Sequence, residues 1–394
     1  MAVNIVVPER VAGHVLKGHP WVYADILPPG PPPAETGDLV SLVSREGKLL
    51  GQALFDAGSP IALRVLTTRR EDVPGAPLWR RRVTEAWRLR QRTLDQTSTN
   101  AFRLMHGEGD RLPGVVVDHY AGFLVMKLDT PAWLPHLEGL VEVLEEVVRP
   151  RGIYLKGLSG RQEEESVPDI ARPRVLAGEA PPADLVVLEH GMKLSVDVYR
   201  GQKTGFFLDQ RENRRLIRNV ADGEVLNLYS YTGGFSIAAA LGRATRVVSV
   251  DIAKGAIEGA RENFALNGID PAGHDFVVQD CFDYLALCAR ERHQFDLVIV
   301  DPPSFAPREK AVKKALNAYT KLNEKAVRQV RPGGLLASAS CSSHITMEMF
   351  LQSLREAAAE ARRPLRLLEV RQEPVDHPTP LHFPEGRYLK FVLA

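Results

Sequence analysis

The chain has 394 residues, of which 44% are hydrophobic and 25% charged, a composition typical of folded globular proteins. Its formal net charge of +1 shows no overall basic excess, so any surface that binds nucleic acid must be local. The three cysteines lack metal-ligand spacing and cannot all pair, and no basic leader or apolar stretch of about 18 residues occurs. We therefore expect a reduced, cytoplasmic protein with no metal and no membrane span.

Residues 1–72 are predicted to form a small β-barrel domain. Residues 38–43 alternate in polarity and lead to a turn, after which residues 49–55 return as a hairpin partner. A further strand is predicted over residues 61–66. The charges of this region are nearly balanced, so its composition predicts a fold class and no function.

Residues 73–184 are predicted to form a small domain that mixes helices and strands. Trp79, Val83 and Trp87 recur every four residues, so they share one face of a helix. A hairpin, a second helix, a strand and a Pro- and Ala-rich linker are predicted to follow, over residues 115–127, 135–148, 152–156 and 168–182.

The first helix of this region is unusually basic. Six arginines fall within it, with few acidic residues nearby: Arg80, Arg81, Arg82, Arg88, Arg90 and Arg92. An exposed basic face is usually only solvated, but two tryptophans in the same stretch favour contact with RNA phosphates and bases. We assign Arg81, Arg88 and Arg92 to this predicted RNA-binding surface.

Residues 185–394 alternate between strands and helices, which predicts an α/β fold with a doubly wound parallel sheet. The predicted strands are residues 225–228, 246–250, 276–278, 297–300 and 335–338, and the predicted helices include residues 235–241 and 253–267. In such sheets the carboxyl ends of the strands form the ligand-binding edge. The residues that follow these strands are therefore the candidates for a functional site.

The loop after the first of these strands is a candidate cofactor-binding loop. Adjacent Gly233 and Gly234 let the backbone approach a ligand closely, beside a helix N-terminus. Asp251 and Asp280 end the next two strands, where a carboxylate can bind ribose hydroxyls and an adenine amino group. The loop lacks the G-x-G-x-x-G pattern of dinucleotide sites, so S-adenosylmethionine fits better than NAD. The alternative interpretation is a plain turn with two helix-capping acids.

Two further motifs follow neighbouring predicted strands, each directly after an apolar run. They are Asp301-Pro302-Pro303-Ser304-Phe305 and Ser340-Cys341-Ser342-Ser343-His344. A carboxylate and a thiol at adjacent strand ends indicate covalent chemistry on a heterocyclic base. The alternative for Cys341 is a small packed residue, which is our interpretation of Cys281 and Cys288 on one helical face.

These motifs resemble those of a known enzyme family. The long and unusual string Gly201-Gln202-Lys203-Thr204-Gly205-Phe206-Phe207-Leu208-Asp209-Gln210-Arg211 is similar to the segment that leads into the cofactor site of bacterial large-subunit ribosomal RNA cytosine-C5 methyltransferases. Residues 106–114 resemble the middle-domain motif of that family, and residues 18–23 and 51–55 resemble its PUA signatures. The resemblance spans nearly the whole chain. It implies three domains: a PUA RNA-binding domain over residues 1–72, an α+β middle domain over residues 73–184, and a class I S-adenosylmethionine-dependent methyltransferase domain with a Rossmann-like sheet over residues 185–394.

The resemblance implies methylation of C5 of a cytosine in large-subunit ribosomal RNA. C5 alone is too poor a nucleophile to take a methyl group, and addition of a thiolate at C6 converts the ring to a reactive enamine. Cys341 is the predicted nucleophile, and Asp301 is predicted to hold the amino edge of the cytosine, beside Pro302 and Pro303. Some relatives carry a second cysteine in the acid-proline motif. Here Pro303 or Ser304 stands at that position, so release of the thiol depends on another group.

The remaining predictions concern the cofactor and the partners. The resemblance implies that Lys203, Thr204, Phe206 and Asp209 lie near S-adenosylmethionine. The other predicted cofactor residues follow strands of the sheet: Tyr229, Thr232, Gly233, Gly234, Asp251, Asp280 and Cys281. Ribosomal RNA is the predicted partner, and the oligomeric state is left open, with a homodimer as one option.

Two rival functions stay open at this point. An N-methyltransferase would use the Asp301 motif to hold a nitrogen acceptor and would need no cysteine, so a requirement for Cys341 separates the two enzymes. A non-catalytic RNA-binding or assembly factor would retain the cofactor fold without turnover. The intact acid, thiol and glycine loop argue against that third function.

Overall fold

The structure, a computed structural model, describes residues 3–27, 34–158, 169–306 and 309–394. Residue 168, the first of the predicted linker, lies outside the described residues. The chain forms two compact units. The first unit contains Met1–Val187, Val196–Leu208 and Val375–Gly386, and the second contains Leu188–Ser195, Asp209–Pro374 and Arg387–Ala394. The predicted domain boundaries after residues 72 and 184 stay predictions.

The N-terminal sheet of the first unit has five short strands. They are β1 (Asn4–Val6), β2 (Trp21–Tyr23), β3 (Leu39–Val43), β4 (Leu49–Phe55) and β5 (Ile61–Thr67), with helix α1 (Glu9–Leu16) between the first two. Their order in the sheet is β1-β3-β4-β5-β2. Val40, Ala53 and Leu63, one from each predicted strand, are buried in its core. The alternation of residues 38–43 arises because Val40 and Leu42 are buried while their neighbours Leu39 and Ser41 are partly exposed. The two strands that the sequence did not reveal are only three residues long.

The second sheet of the first unit also has five strands. They are β6 (Ala101–His106), β7 (Val115–Tyr120), β8 (Phe123–Leu128), β9 (Gly152–Leu158) and β10 (Arg174–Gly178), and their order is β10-β9-β8-β7-β6. Helices α2 (Ala76–Thr93) and α3 (Leu137–Val148) share its hydrophobic core. The prediction of a linker over residues 168–182 is wrong for β10, which pairs antiparallel with β9 as an edge strand. Its apolar run is only Val175-Leu176-Ala177, and none of its residues is fully buried, so its signal in the sequence is weak.

A short hairpin, β11 (Val186–Glu189) and β12 (Met192–Ser195), precedes the large sheet of the second unit. The strands of that sheet are β13 (Asp222–Leu228), β14 (Arg243–Asp251), β15 (Asp275–Val278), β16 (Phe295–Val300), β17 (Val330–Ser340), β18 (Glu369–Arg371) and β19 (Lys390–Leu393). The helices are α4 (Arg211–Val220), α5 (Gly234–Ala240), α6 (Lys254–Leu266), α7 (Cys281–Glu291), α8 (Val312–Arg328) and α9 (Met347–Ala361).

The large sheet has the order β15-β14-β13-β16-β17-β19-β18. Its first five strands run parallel, and β19 is antiparallel to both of its neighbours. The predicted α/β class and doubly wound sheet are confirmed, with one strand reversed. The sequence did not reveal β18 and β19, since each is too short to give a periodic pattern. In the part of the chain that the structure describes, no helix has the length and apolar character needed to cross a bilayer.

Candidate active site

The carboxyl ends of five parallel strands lie at one edge of the second unit's sheet. The segments that follow these strands carry the predicted site residues: residues 229–234 after β13, Asp251 at the end of β14, Asp280 after β15, Asp301 after β16 and Cys341 after β17. In open α/β sheets this edge is where ligands bind. The strand order therefore brings the predicted cofactor residues, the acid and the thiol to one side of the sheet.

The loop after β13 is conformationally strained and held by its neighbours. Tyr229, Tyr231 and Gly233 have positive φ angles of 58°, 47° and 82°. A left-handed non-glycine residue costs on the order of 1–3 kcal/mol and persists only where surrounding contacts hold it. The Tyr231 amide donates to Asp251 Oδ2 at 2.9 Å, and the Tyr229 amide donates to Cys281 Sγ at 3.3 Å. Strain maintained in this way is typical of ligand-binding loops.

The same loop requires glycine at one position and carries hydrogen-bonding groups for a ligand. A Cβ atom on Gly233 would lie 2.9 Å from the Ala260 Cβ, so its left-handed φ and this close packing against α6 both require glycine. The hydroxyls of Ser230 and Thr232 are buried without a hydrogen-bond partner among the described residues. Buried hydroxyls rarely stay unpaired, so these two fit a site for a polar ligand.

The two acids after β14 and β15 both accept hydrogen bonds from backbone amides. Besides the Tyr231 amide, Asp251 accepts from the Ala253 amide at 2.9 Å through Oδ1. Asp280 is the N-cap of α7 and accepts from the Phe282 and Asp283 amides through Oδ1. An ionised carboxylate offers about four acceptor positions, so each acid keeps positions for a ligand as well. Asp280 therefore caps a helix, as the alternative interpretation of the sequence expected. Its contact with a ligand stays a prediction.

Cys281 and Cys288 are both buried on α7, as their predicted packing role requires. Burial raises the pKa of Cys281 to about 12 and that of Cys288 to about 11, so both remain neutral thiols at physiological pH. Cys281 supports the strained loop through its bond from the Tyr229 amide. Neither cysteine has the properties of a nucleophile.

The acid motif after β16 contacts the segment just before α4. Asp301 is half-buried, and its Oδ1 accepts from Gln210 Nε2 at 3.1 Å. Gln210 is itself oriented by a bond from Asn213 Nδ2 to its Oε1 at 2.6 Å. Asp209 is buried and accepts from the Tyr388 hydroxyl at 2.8 Å. Sequence reasoning missed the positioning role of Gln210, although the residue stands within the string that carried the family resemblance.

The thiol segment after β17 is bonded directly to the acid motif. Ser304 Oγ and Ser342 Oγ lie 2.9 Å apart, and the Ala306 amide donates to Ser342 Oγ at 3.4 Å. The buried Tyr319 hydroxyl lies within hydrogen-bonding distance of both Ser340 and Ser342. These contacts fix the backbone on each side of Cys341, which is half-buried. Pro302 is buried and Pro303 is exposed, and their predicted contact with substrate stays a prediction.

Lys390, on β19, is a component of this edge that the sequence analysis missed. It is 1% exposed, and its Nζ donates to the Ser342 carbonyl at 2.5 Å and the Tyr388 carbonyl at 2.7 Å. Its only signal in the sequence is a single basic residue within the otherwise apolar run Leu389–Leu393. Such a pattern predicts a buried charge but does not identify the residues that it contacts.

Among the predicted cofactor residues, the first unit contains Lys203, Thr204 and Phe206, and the second unit contains Asp209. Thr204 is fully buried and hydrogen-bonded to Asp118 and to the Tyr120 hydroxyl, the latter at 2.9 Å. Phe206 is buried, and the Lys203 ammonium lies 4.6 Å from the centre of the Phe207 ring. The contacts of these three residues with a cofactor stay predictions.

The basic helix α2 divides into two kinds of arginine. Arg81, Arg88 and Arg92 are exposed, as the predicted RNA-binding surface requires. Arg81 forms an ion pair of 2.7 Å with Asp72, whereas Arg88 and Arg92 form none with any residue that the structure describes. The latter two are therefore the more available of the predicted phosphate-binding groups.

Of the six arginines in this helix, Arg82 and Arg90 are buried and do not contribute to an exposed basic face. Arg82 donates to the carbonyls of Leu66 and Arg111, and burial lowers its pKa to about 10. Arg90 forms a bidentate ion pair with Asp110. These two side chains stabilise the first unit and cannot contact RNA.

Within the described ranges, no group of three or more His, Cys, Asp or Glu side chains is arranged to hold a metal ion. The candidate site contains the strained loop, the acids, the thiol and a buried lysine at the edge of the sheet.

Comparison with known proteins gives two family matches. A PUA-like domain model matches residues 5–68, and an S-adenosylmethionine-dependent methyltransferase model matches residues 102–382. Proteins of Yersinia pseudotuberculosis and Yersinia pestis named ribosomal RNA large subunit methyltransferase I are 34% identical over 391 residues, which is 99% of this chain and 98% of each relative.

Solved structures are similar over the same length. A protein assigned as a methyltransferase and complexed with SAH gives a TM-score of 0.87 at 25% identity. A Streptococcus mutans protein assigned as an S-adenosylmethionine-dependent methyltransferase gives a TM-score of 0.85 at 24% identity. Each match covers 99% of both chains, and the second shows the fold alone.

Proposed function

The chain belongs to the family of S-adenosylmethionine-dependent methyltransferases, and we propose that it methylates C5 of a cytosine in large-subunit ribosomal RNA through a covalent adduct with Cys341. S-adenosylmethionine is accordingly its cofactor. The name shared by the Yersinia relatives supports ribosomal RNA as the substrate, and the PUA-like domain over residues 5–68 supports RNA binding.

The cofactor would be held by the strained loop after β13 and the acids beyond it. Gly233 and Gly234 would let the ligand approach the backbone closely, and Asp251 would accept from its ribose hydroxyls. Asp280 would accept from the adenine amino group through Oδ2, since its Oδ1 serves the two helix amides. The buried hydroxyl of Thr232 would gain the partner it lacks. When bound, S-adenosylmethionine supplies an electrophilic methyl group.

The base would be activated by the thiol and held by the acid. The Cys341 thiolate would add to C6 of the cytosine, which moves electron density onto C5 and makes that carbon nucleophilic. Asp301 would accept a hydrogen bond from the N4 amino group, with its carboxylate oriented by Gln210. After methylation, a base removes the C5 proton and the C–S bond breaks, which releases the thiolate and restores the aromatic ring.

One observation carries this proposal over its rivals: the acid motif and the thiol segment are bonded to each other through Ser304 and Ser342 at 2.9 Å. A nitrogen acceptor needs no thiol beside the acid, and a non-catalytic RNA-binding protein needs neither. The half-buried Cys341 also differs from the two buried, neutral cysteines of α7.

The decisive experiment uses large-subunit ribosomal RNA that carries 5-fluorocytosine in place of cytosine. Fluorine at C5 cannot leave as a proton does, so the wild-type enzyme should form an adduct that survives denaturing electrophoresis. Cys341→Ser should form no adduct with this RNA and no product with unmodified RNA, because a serine hydroxyl is scarcely ionised near neutral pH. Ser343→Ala, a change at an exposed neighbouring residue, is the matched control and should retain both.

With unmodified RNA, nucleoside mass spectrometry should detect 5-methylcytidine as the product. An N-methylated nucleoside formed equally by the wild type and by Cys341→Ser would replace the C5 mechanism with the N-methyltransferase. Cofactor binding without any methylated product would favour the non-catalytic function.

A further inference from the structure

Lys390 lies in the core of the second unit, directly beside the thiol segment. The antiparallel register of β17 and β19 pairs Lys390 with Ser340, one residue before Cys341. Its Nζ then donates to the carbonyl of Ser342, one residue after Cys341. The lysine therefore contacts the chain on both sides of the thiol.

The ammonium group lacks the carboxylate partner that a buried lysine normally has. Among the described residues Lys390 forms no ion pair, and its two hydrogen bonds go to the neutral carbonyls of Ser342 and Tyr388. The carboxylate of Glu373 acts on it only through its charge, since Oε1 of Glu373 accepts from the amides of Tyr388 and Leu389. An ammonium has three hydrogens, so one remains beyond these two bonds.

Cys341, when ionised, and Glu373 are the groups whose negative charges act on Lys390. Burial lowers the pKa of Lys390 to about 8, and these two anions act in the opposite direction. Tyr319, on α8, also contacts the thiol segment through Ser340 and Ser342, and burial raises its pKa, so it stays neutral. Near neutral pH Lys390 is a cation that contacts this segment from within the core.

We propose that Lys390 is a positioning residue whose ammonium holds Cys341 as a thiolate and fixes the backbone around it. This inference rests on the proposed role of Cys341 as a nucleophile. A positive charge in a site shielded from water stabilises a nearby thiolate strongly, and the thiolate is the reactive form of cysteine. The lysine fills the activating role that a protonated histidine has in other thiol enzymes.

The test measures the ionisation of Cys341 in the full-length protein without RNA. Alkylation by iodoacetamide is followed from pH 5 to pH 10 by peptide mass spectrometry, which resolves Cys341 from Cys281 and Cys288. The wild type should titrate below the ordinary thiol pKa of about 8.5, while the other two cysteines react slowly throughout and serve as internal references. A wild-type midpoint at or above the ordinary value would contradict the proposal.

Two substitutions separate charge from shape. Lys390→Met keeps the length of the side chain without its charge, and it should raise the midpoint by at least about one pH unit, about tenfold in rate at pH 7. Lys390→Arg retains the charge and should restore a low midpoint. Calorimetry with S-adenosylmethionine verifies that each variant is folded. A folded Lys390→Met protein with the wild-type midpoint would overturn the proposal.

A reciprocal measurement does not depend on changing the lysine. Cys341→Ser removes the thiolate but keeps the shape of the residue, so the pKa of Lys390 should fall, as followed by ¹³Cε chemical shifts in lysine-labelled protein. An unchanged lysine titration would show that the two groups do not interact. Neither titration uses RNA, so both test the interaction of Lys390 with Cys341 separately from the proposed function. If Lys390→Met shifts the thiol titration but the wild type forms no adduct with 5-fluorocytosine RNA, only the proposed C5 chemistry is contradicted.

Discussion

Replacing Arg90 by leucine should strongly destabilise the first unit, whereas the same change at Arg88, on the same helix, should have little effect. The Arg90 side chain is 0% exposed, and its guanidinium donates to both oxygens of Asp110 at 2.6 and 2.7 Å. It also donates to the carbonyls of Arg103 at 2.8 Å and Asp376 at 2.7 Å. Arg88 is exposed and makes no ion pair with any described residue.

The loss in free energy of unfolding depends on whether each substitution leaves a charged group buried without its partner. Without Arg90, the buried Asp110 carboxylate keeps a hydrogen bond from the His106 amide at 2.6 Å but loses its counter-ion. Removing one partner of a buried ion pair costs about 3–5 kcal/mol, because the other charge remains buried. A surface change away from such contacts usually stays within about 0.5 kcal/mol. The two variants should therefore differ by at least about 2.5 kcal/mol.

Urea unfolding followed by tryptophan fluorescence measures this difference directly. All four tryptophans, Trp21, Trp79, Trp87 and Trp133, belong to the first unit, so the signal reports on that unit alone. Adding Asp110→Leu to the Arg90→Leu protein should recover part of the loss, because it removes the uncompensated charge. Equal unfolding midpoints for the Arg90 and Arg88 variants would refute the assignment of Arg90 as a structural ion pair.

Four further outcomes are expected. Replacing Arg88 and Arg92 by glutamine should make RNA affinity depend less steeply on salt concentration. The log–log slope should fall by about 0.7 for each phosphate of single-stranded RNA that the protein no longer neutralises. An unaltered slope would mean that this face is only solvated. Asp251→Ala should weaken S-adenosylmethionine binding by roughly 1.5–3 kcal/mol in calorimetry, and an unchanged affinity would remove this acid from the site. Asp301→Asn should slow methylation by about ten- to a hundredfold at normal cofactor affinity, and a wild-type rate would exclude its contact with the base. Because burial lowers the pKa of Lys390 from 10.5 to about 8, only the unfolded chain holds this proton between those values. The wild type should therefore gain stability relative to Lys390→Met as the pH rises through that window, and a pH-independent difference would contradict the burial of the charge.

The amino-acid sequence determines the order of elements wherever a strand or helix is long enough to show its period. The strands that end near Asp251 and Asp301 contain apolar runs buried in the parallel sheet, and the edge strand that ends near Asp280 is a shorter, partly exposed apolar run. The polar residues at their ends stand out against these runs. Since the carboxyl ends of parallel strands share one edge, the chain order alone predicted that these acids and Cys341 face the same side.

The tertiary structure decides the properties that depend on contacts between distant residues. Arg90 and Arg88 look alike in the sequence, and only the contact of Arg90 with Asp110 makes it a buried structural residue. Lys390 belongs to a strand of four residues, which is too short for a periodic signal. Its position opposite Ser340 arises only when β19 inserts antiparallel beside β17. The pattern of apolar residues within a segment predicts its secondary structure and its buried face. The partner of a buried charge is determined by packing between segments that are distant in the sequence.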